Sequence, residues 1–348
     1  MRLAFSAVGL LLVVWLLPGR TPQGPFESYH MSLGTLVKFV LYGDHAGESA
    51  VGQALAEFTL VDSLMSSYSA NSETSRIGSL AGEGRGLAAS RSMIDVIERS
   101  MFFAHATGGA FDPTVGALTR LWDFPDAVAP PAETSVDSAL ALVSYRDLLV
   151  DGGRIYLQRR GMQLDLGAAA KGHAVDLAVA ALEAAGVKAG LVEAGGDIRF
   201  WGRKPDGEAW RFGIRHPRVA DCIVLSADVG LSSLATSGDY EQTFDHEQIS
   251  YHHILDPTTG YPARGAVSAT AWANSALDAD ILSTALFVLG PDGMRWVEDF
   301  DGVEALMFYE AAGRLDYLIS SGLKGSLQFP DCAAQQIPRT TSEDFSDR

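Results

Sequence analysis

From Ala189 to Ile214 the chain reads as short strands broken by tight turns: strand Ala189 to Ala194, the turn Gly195-Gly-Asp197, strand Ile198 to Trp201, the turn Pro205-Asp-Gly207, and strand Trp210 to Ile214. Turns this short join neighbouring strands as hairpins, which commits the region to a hairpin-rich sheet. Upstream, alternation in Leu36-Val-Lys-Phe-Val-Leu-Tyr42 marks a further strand, and the helical spacing of Leu55, Phe58, Leu60 and Leu64 predicts a helix over 49–65. The polar stretch 66–73 is a loop. A helix is expected over 92–107, closed by Gly108-Gly109, with 110–114 turning the chain away. The Pro- and Ala-rich stretch 125–140 reads as a surface excursion leading into a helix over 135–143. Strands and helices in this mixture predict an α+β (mixed α/β) domain of two lobes around a cleft, with no internal repeat and no second independent domain.

The segment Gln163-Leu-Asp-Leu-Gly-Ala-Ala-Ala-Lys-Gly172 is expected to end a strand, cross a small-residue turn and open an Ala-rich helix that runs to Ala185. Small side chains at 167–170 permit close approach of backbone to a ligand. Lys171 near a helix start adds positive charge, so the segment suits a phosphate as well as it suits a ligand-free strand-to-helix turn. It has neither P-loop spacing nor a G-x-G-x-x-G dinucleotide fingerprint. Charge makes local help for an anion necessary: 26 basic against 43 acidic residues give a net charge of −17, which also argues against nucleic acid as a partner.

Within the helix-compatible run 278–287, Asp280 and Thr284 stand one turn apart and put two hard oxygens on one face. A surface helix or a local side-chain hydrogen bond accounts for such a pair, and so does a magnesium ion. The apolar neighbours Ile281, Leu282, Ala285, Leu286 and Val288 predict partial burial, where Asp280 requires a partner. Asp197, after two glycines, either orients its own turn or holds a ligand hydroxyl. His246, His252 and His253 lack the spacing of zinc ligands, and Asp256-Pro-Thr-Thr-Gly260 reads as a turn, so a base or hydrogen-bonding role suits one histidine better. Cys222 and Cys332 are the only cysteines and match no zinc pattern; in an oxidising compartment they bridge or stay as small buried side chains. Met1-Arg2 followed by an apolar run to Leu17 and Pro18-Gly19-Arg20 predicts an export signal or retained anchor over 1–20, a buried helix being the alternative. Residues 331–348 read as a polar tail.

The ordered set Leu33-Gly-Thr35, Ser66-Ser-Tyr68 with Ser72-Glu73, Gly109-Ala-Phe-Asp112, Asp165-Leu-Gly-Ala-Ala-Ala-Lys-Gly172 with Asp176, Gly195-Gly-Asp197, Thr236-Ser-Gly-Asp-Tyr240, His253-Ile-Leu-Asp-Pro-Thr-Thr-Gly260 and Asp280-x-x-x-Thr284 resembles the ApbE family of FAD:protein FMN transferases over roughly residues 28–325. The resemblance implies an ApbE-like fold with a flavin-binding cleft. It also implies transfer of FMN from FAD to a Thr or Ser hydroxyl of an acceptor protein, with Mg2+ and release of AMP. By the same resemblance Asp280, Thr284 and the carbonyl near Ala170 hold the metal, Tyr68 stacks on the isoalloxazine, and Lys171, Asp176, Gly196, Thr236 and Ser237 line the FAD site. His253 takes the proton from the attacking hydroxyl. The implied acceptor is a subunit of an extracytoplasmic redox complex with a Thr-containing motif, on the periplasmic side of a bacterial inner membrane.

Two positions depart from the family pattern. Leu33 stands where the family has Met, with Met31 two positions earlier, and Glu193-Ala194 replaces an Asn before Gly-Gly-Asp. Water in place of the acceptor gives an FAD pyrophosphatase from the same residues. A flavin-binding protein without turnover would require loss of the metal pair or of His253, and both are present.

Overall fold

Val37, Phe39 and Leu41 are fully buried while their neighbours along the same strand are only partly so, because successive strand residues point to opposite faces. The computed structural model that carries this strand describes residues 24–124, 126–219, 221–226 and 229–330. The stretch 1–20, expected to be an export signal or anchor, the tail 331–348 and Cys332 lie outside the described residues; Cys222 is disulfide-bonded. Among the described residues no helix is long and apolar enough to cross a membrane.

In chain order the elements are β1 (Phe26–Ser32), β2 (Thr35–Tyr42), α1 (Glu48–Met65), α2 (Glu73–Ser79), β3 (Leu87–Ala88), α3 (Arg91–Ala106), α4 (Gly116–Trp122), α5 (Glu133–Leu140), β4 (Leu148–Asp151), β5 (Arg154–Leu157), α6 (Gly167–Ala184), β6 (Ala189–Ala194), β7 (Asp197–Trp201), β8 (Phe212–Arg215), β9 (Ile223–Ser226), β10 (Ser233–Gly238), β11 (Thr243–His246), β12 (Ile249–His252), β13 (Ser268–Ala273), α7 (Ala276–Leu289), α8 (Pro291–Glu298), β14 (Glu304–Ala311), β15 (Arg314–Ile319) and β16 (Leu327–Gln328).

Eight strands form one sheet in the order β1-β2-β6-β7-β10-β13-β14-β15, and every adjacent pair is antiparallel. Neighbours in the sheet follow chain order, so every other element except β16, which follows the last strand, is an insertion between adjacent strands. Helices α1, α6 and α7 cover one face, where Phe39 meets Phe58 of α1 edge to face. The small sheet β16-β9-β8 covers the other, around Phe200, Trp210, Phe212, Trp272 and Phe308. Helices segregated on one face of an antiparallel sheet make this an α+β fold, as expected. The second lobe comes from the β2-to-β6 insertion, with α2 to α5 and the sheet β3-β5-β4, but the two lobes share one continuous apolar core.

Two local expectations are corrected. The helix expected over 135–143 is α5 and ends at Leu140; Leu142 and Val143 follow in a turn, bonded back to Ala139 and Leu140. Residues 163–166, leading into α6, form no strand. Gln163 makes only an isolated bridge to Val115, because its carbonyl accepts from Gly116 N while Asp165 N donates to Pro113 O, tying this segment to the 113–116 turn.

Candidate active site

Small residues let α7 lie close on its neighbours: Ala279 packs against Ala235 of β10 and Ala273 of β13. At the crossing with α6, a Cβ on Gly172 would fall 2.2 Å from the Ala276 carbonyl oxygen, so only glycine permits the approach. That approach brings Gly172 N–H to Asp280 Oδ2 at 3.0 Å, and Asp280 is almost fully buried. The glycine of the small-residue run thus admits another helix, while Ala169 and Ala170 are core side chains.

Lys171 Nζ lies 3.1 Å from Asp280 Oδ1, 3.1 Å from Asp197 Oδ2 and 3.3 Å from the Gly167 carbonyl. Asp197 follows the Gly195-Gly196 turn between β6 and β7, where both glycines have positive φ (59° and 94°), as a two-residue hairpin turn of this hand requires. Burial pushes the Asp197 carboxyl well up, and the neighbouring Asp280 charge adds to it more than Lys171 offsets. For Lys171, burial works against the charged form, yet Asp197 and Asp280 together overcome it and raise the ammonium pKa. Asp197 Oδ2 is buried and makes no aligned hydrogen bond despite its proximity to Nζ.

One turn beyond Asp280, Thr284 Oγ1 is 3.1 Å from Ser237 Oγ, which is also 2.9 Å from Ser283 Oγ. Thr236, the next residue along β10, points to the opposite face and bonds Thr270 Oγ1 at 2.8 Å, so it does not join this cluster. Asp176 does not present free oxygens to a ligand either. Its carboxylate accepts from Ala276 N and Leu277 N at 2.9 and 3.0 Å and pairs with Arg199, fixing the start of α7. Gly196 borders open space: a Cβ there would meet no atom within 4 Å.

His253 Nδ1 lies 3.3 Å from the Glu241 carbonyl oxygen. A carbonyl only accepts, so Nδ1 carries the proton and Nε2 keeps its lone pair. Burial lowers the His253 pKa, and the Lys171 charge lowers it further. The Asp165 charge acts on both His253 and Tyr68. Desolvation of the Tyr68 hydroxyl, then Asp165 and Asp123, raise the phenol pKa, while 84% of the residue remains exposed, a free aromatic face in the loop after α1.

The structure therefore gathers Lys171, Asp280, Thr284 and Ser237 where α6 meets α7, with Ala170 next to Lys171 in α6, Gly196 next to Asp197 and His253 within electrostatic reach of Lys171. It adds Asp197, which sequence left open between orienting its own turn and holding a ligand hydroxyl; its position after Gly-Gly was the available signal. Among the described residues no three His, Cys, Asp or Glu side chains form a metal cluster. The arrangement that fits a metal is mixed: the Asp280 carboxylate with the Thr284 hydroxyl one turn on, beside Asp197 with its orphaned oxygen. Two carboxyl groups and a hydroxyl supply hard oxygens, the donor type that suits a divalent oxygen-seeking cation.

Comparison with known proteins agrees with this frame. The model of the ApbE family matches residues 33–307. The FAD:protein FMN transferase of Treponema pallidum is 34% identical over 313 residues, 84% of this chain and 86% of that protein. The one from Vibrio cholerae is 32% identical over 318 residues, 87% of this chain and 93% of that protein. Among solved structures, the flavin transferase ApbE from Vibrio cholerae superposes with a TM-score of 0.78 at 29% identity, covering 87% of this chain and 99% of that one. The ApbE protein from Thermotoga maritima gives 0.75 at 32% identity, covering 90% and 100%. With most of its length matched in both sequence and fold, this chain belongs to the ApbE family.

Proposed function

We propose that this protein is a magnesium-dependent FAD:protein FMN transferase, moving FMN from FAD to a Thr or Ser hydroxyl of an acceptor protein and releasing AMP. The observation that carries this reading is the meeting of α6 and α7, where Asp280, Thr284, Lys171 and Asp197 collect hard oxygens and one cation beside a histidine with a bare Nε2. Relatives with that activity are named for it.

Asp280, Thr284 and the Ala170 carbonyl would hold the magnesium, which when bound polarises the diphosphate and offsets charge on the departing AMP. The chain's own residues supply the rest. Tyr68 offers its exposed ring to the isoalloxazine, adding contact area without specific hydrogen bonds. Gly196 leaves room for substrate beside Asp197. His253 Nε2 takes the proton of the acceptor hydroxyl as that oxygen bonds to the FMN phosphorus, and the phosphoanhydride bond to AMP breaks. The neutral form of His253, favoured by its burial, is the form that accepts a proton.

The acceptor we assign is an extracytoplasmic subunit of a redox complex with a Thr-containing flavinylation motif, met on the periplasmic side by an enzyme exported through its apolar N-terminal segment. Incubation with FAD, MgCl2 and a candidate acceptor tests the reading, with flavin fluorescence followed on a denaturing gel while AMP is measured. Labelled acceptor with matching AMP is the expected result; AMP without labelled acceptor identifies a pyrophosphatase. Asp280→Asn is expected to weaken magnesium binding and stop transfer while FAD still binds. Transfer at ordinary magnesium concentration in that variant would remove Asp280 from the metal site.

A further inference from the structure

Sequence left Lys171 open between a phosphate and a ligand-free turn; the fold surrounds its ammonium with the protein's own acceptors. Nζ donates to both Asp280 oxygens, at 3.1 and 3.4 Å, and to the Gly167 carbonyl at 3.3 Å, and it pairs by charge with Asp197 Oδ2 at 3.1 Å. The two carboxylates come from different elements, the start of β7 and α7, and repel each other when both are ionised and the lysine is absent. Asp280 divides its contacts unequally. Oδ2 is held by the Gly172 amide at 3.0 Å, whereas Lys171 is nearest Oδ1 at 3.1 Å. Removing the lysine would leave Asp280 oriented by the backbone with one oxygen newly free. The Lys171 side chain is 27% exposed, and its flexible stem gives the head group a way out of the cluster.

We propose that Lys171 is a built-in counter-ion: in the metal-free protein it holds the Asp197 and Asp280 carboxylates together, and the divalent cation displaces it from them. Metal binding and release of the ammonium are then one event, and the freed charge becomes available to an anionic substrate. The proposal rests on the metal reading above and adds a competitor to it. It explains how a buried acidic pair persists without metal, since unpaired buried carboxylates are costly. It also makes Lys171 a positioning residue before substrate arrives.

Titration calorimetry of MgCl2 into the metal-stripped full-length protein, without FAD, tests this. Lys171→Met removes the competitor, and magnesium affinity is expected to tighten about tenfold or more, as loss of a charged hydrogen-bonded partner implies. A second measurement uses the unsubstituted protein and does not depend on the variant folding. Acylation of lysines by an N-hydroxysuccinimide ester, read by peptide mass spectrometry, is expected to label Lys171 slowly in EDTA and several-fold faster in magnesium. Magnesium binding with equal Lys171 labelling in both conditions overturns the displacement and leaves the metal reading standing. Equal magnesium affinity in a folded Lys171→Met does the same. No magnesium binding by the unsubstituted protein overturns the metal reading itself, and this proposal with it.

Discussion

His253 owes its chemistry to a backbone atom, because the Glu241 carbonyl fixes the tautomer and burial keeps the ring neutral. A neutral base is lost when it gains a proton, so transfer is expected to fall as pH drops through the lowered His253 pKa. The fall should therefore begin below the ordinary histidine value of about 6.5. The pH profile of kcat/KM for FAD and acceptor checks this. His253→Ala should lower kcat by about 10² to 10⁴-fold while FAD affinity holds, and normal turnover there removes the residue from the mechanism. Sequence pointed to His253, Lys171, Asp280 and Thr284 through their family pattern. It did not reveal that Asp176 caps α7 or that Thr236 faces away from it, since both depend on how β10, α6 and α7 pack.

Helices α6 and α7 build the site only because they touch at Gly172. Gly172→Ala places a methyl 2.2 Å from a backbone oxygen that has no freedom to move aside, so the helices must separate and the Gly172 N–H bond to Asp280 must stretch. The expected cost is about 3 kcal/mol, at the upper end for overpacking. Thermal unfolding and magnesium titration should both register it, and an unchanged Tm would show that the crossing tolerates a side chain. Most elements were legible from periodicity: the strand at 36–42 and the helices at 49–65 and 92–107 appear within a residue or so as β2, α1 and α3. The start of α6 was not. Its first turn is irregular at Ala168, and the preceding residues bond to a turn some fifty positions earlier, a tie that no local pattern encodes.

Over the whole molecule, burial on both faces of the sheet leaves polar groups whose protonation is tied to folding. His252 is buried edge-on to Phe287, donates Nε2–H to the Ala263 carbonyl and has no partner at Nδ1. Burial lowers its pKa from 6.5 to about 4. The unfolded chain binds the proton first on acidification, so this contribution is complete above pH 6.5 and is lost as pH falls towards 4, amounting to about 3 kcal/mol. Tm measured from pH 7 to 4 should fall less steeply in His252→Asn than in the unsubstituted protein; parallel curves would discount His252. By itself the sequence determined the hairpin-rich sheet and the main helices, and its family pattern singled out the candidate site residues. Alternation, helical spacing and glycine turns are local, and they survive in a one-dimensional reading. Only the tertiary structure decided that two carboxylates more than eighty positions apart share one lysine, and that the oxygens of α7 meet those of β10. Those contacts come from the packing of α6 and α7 on the sheet, and they turn scattered polar residues into one charged site.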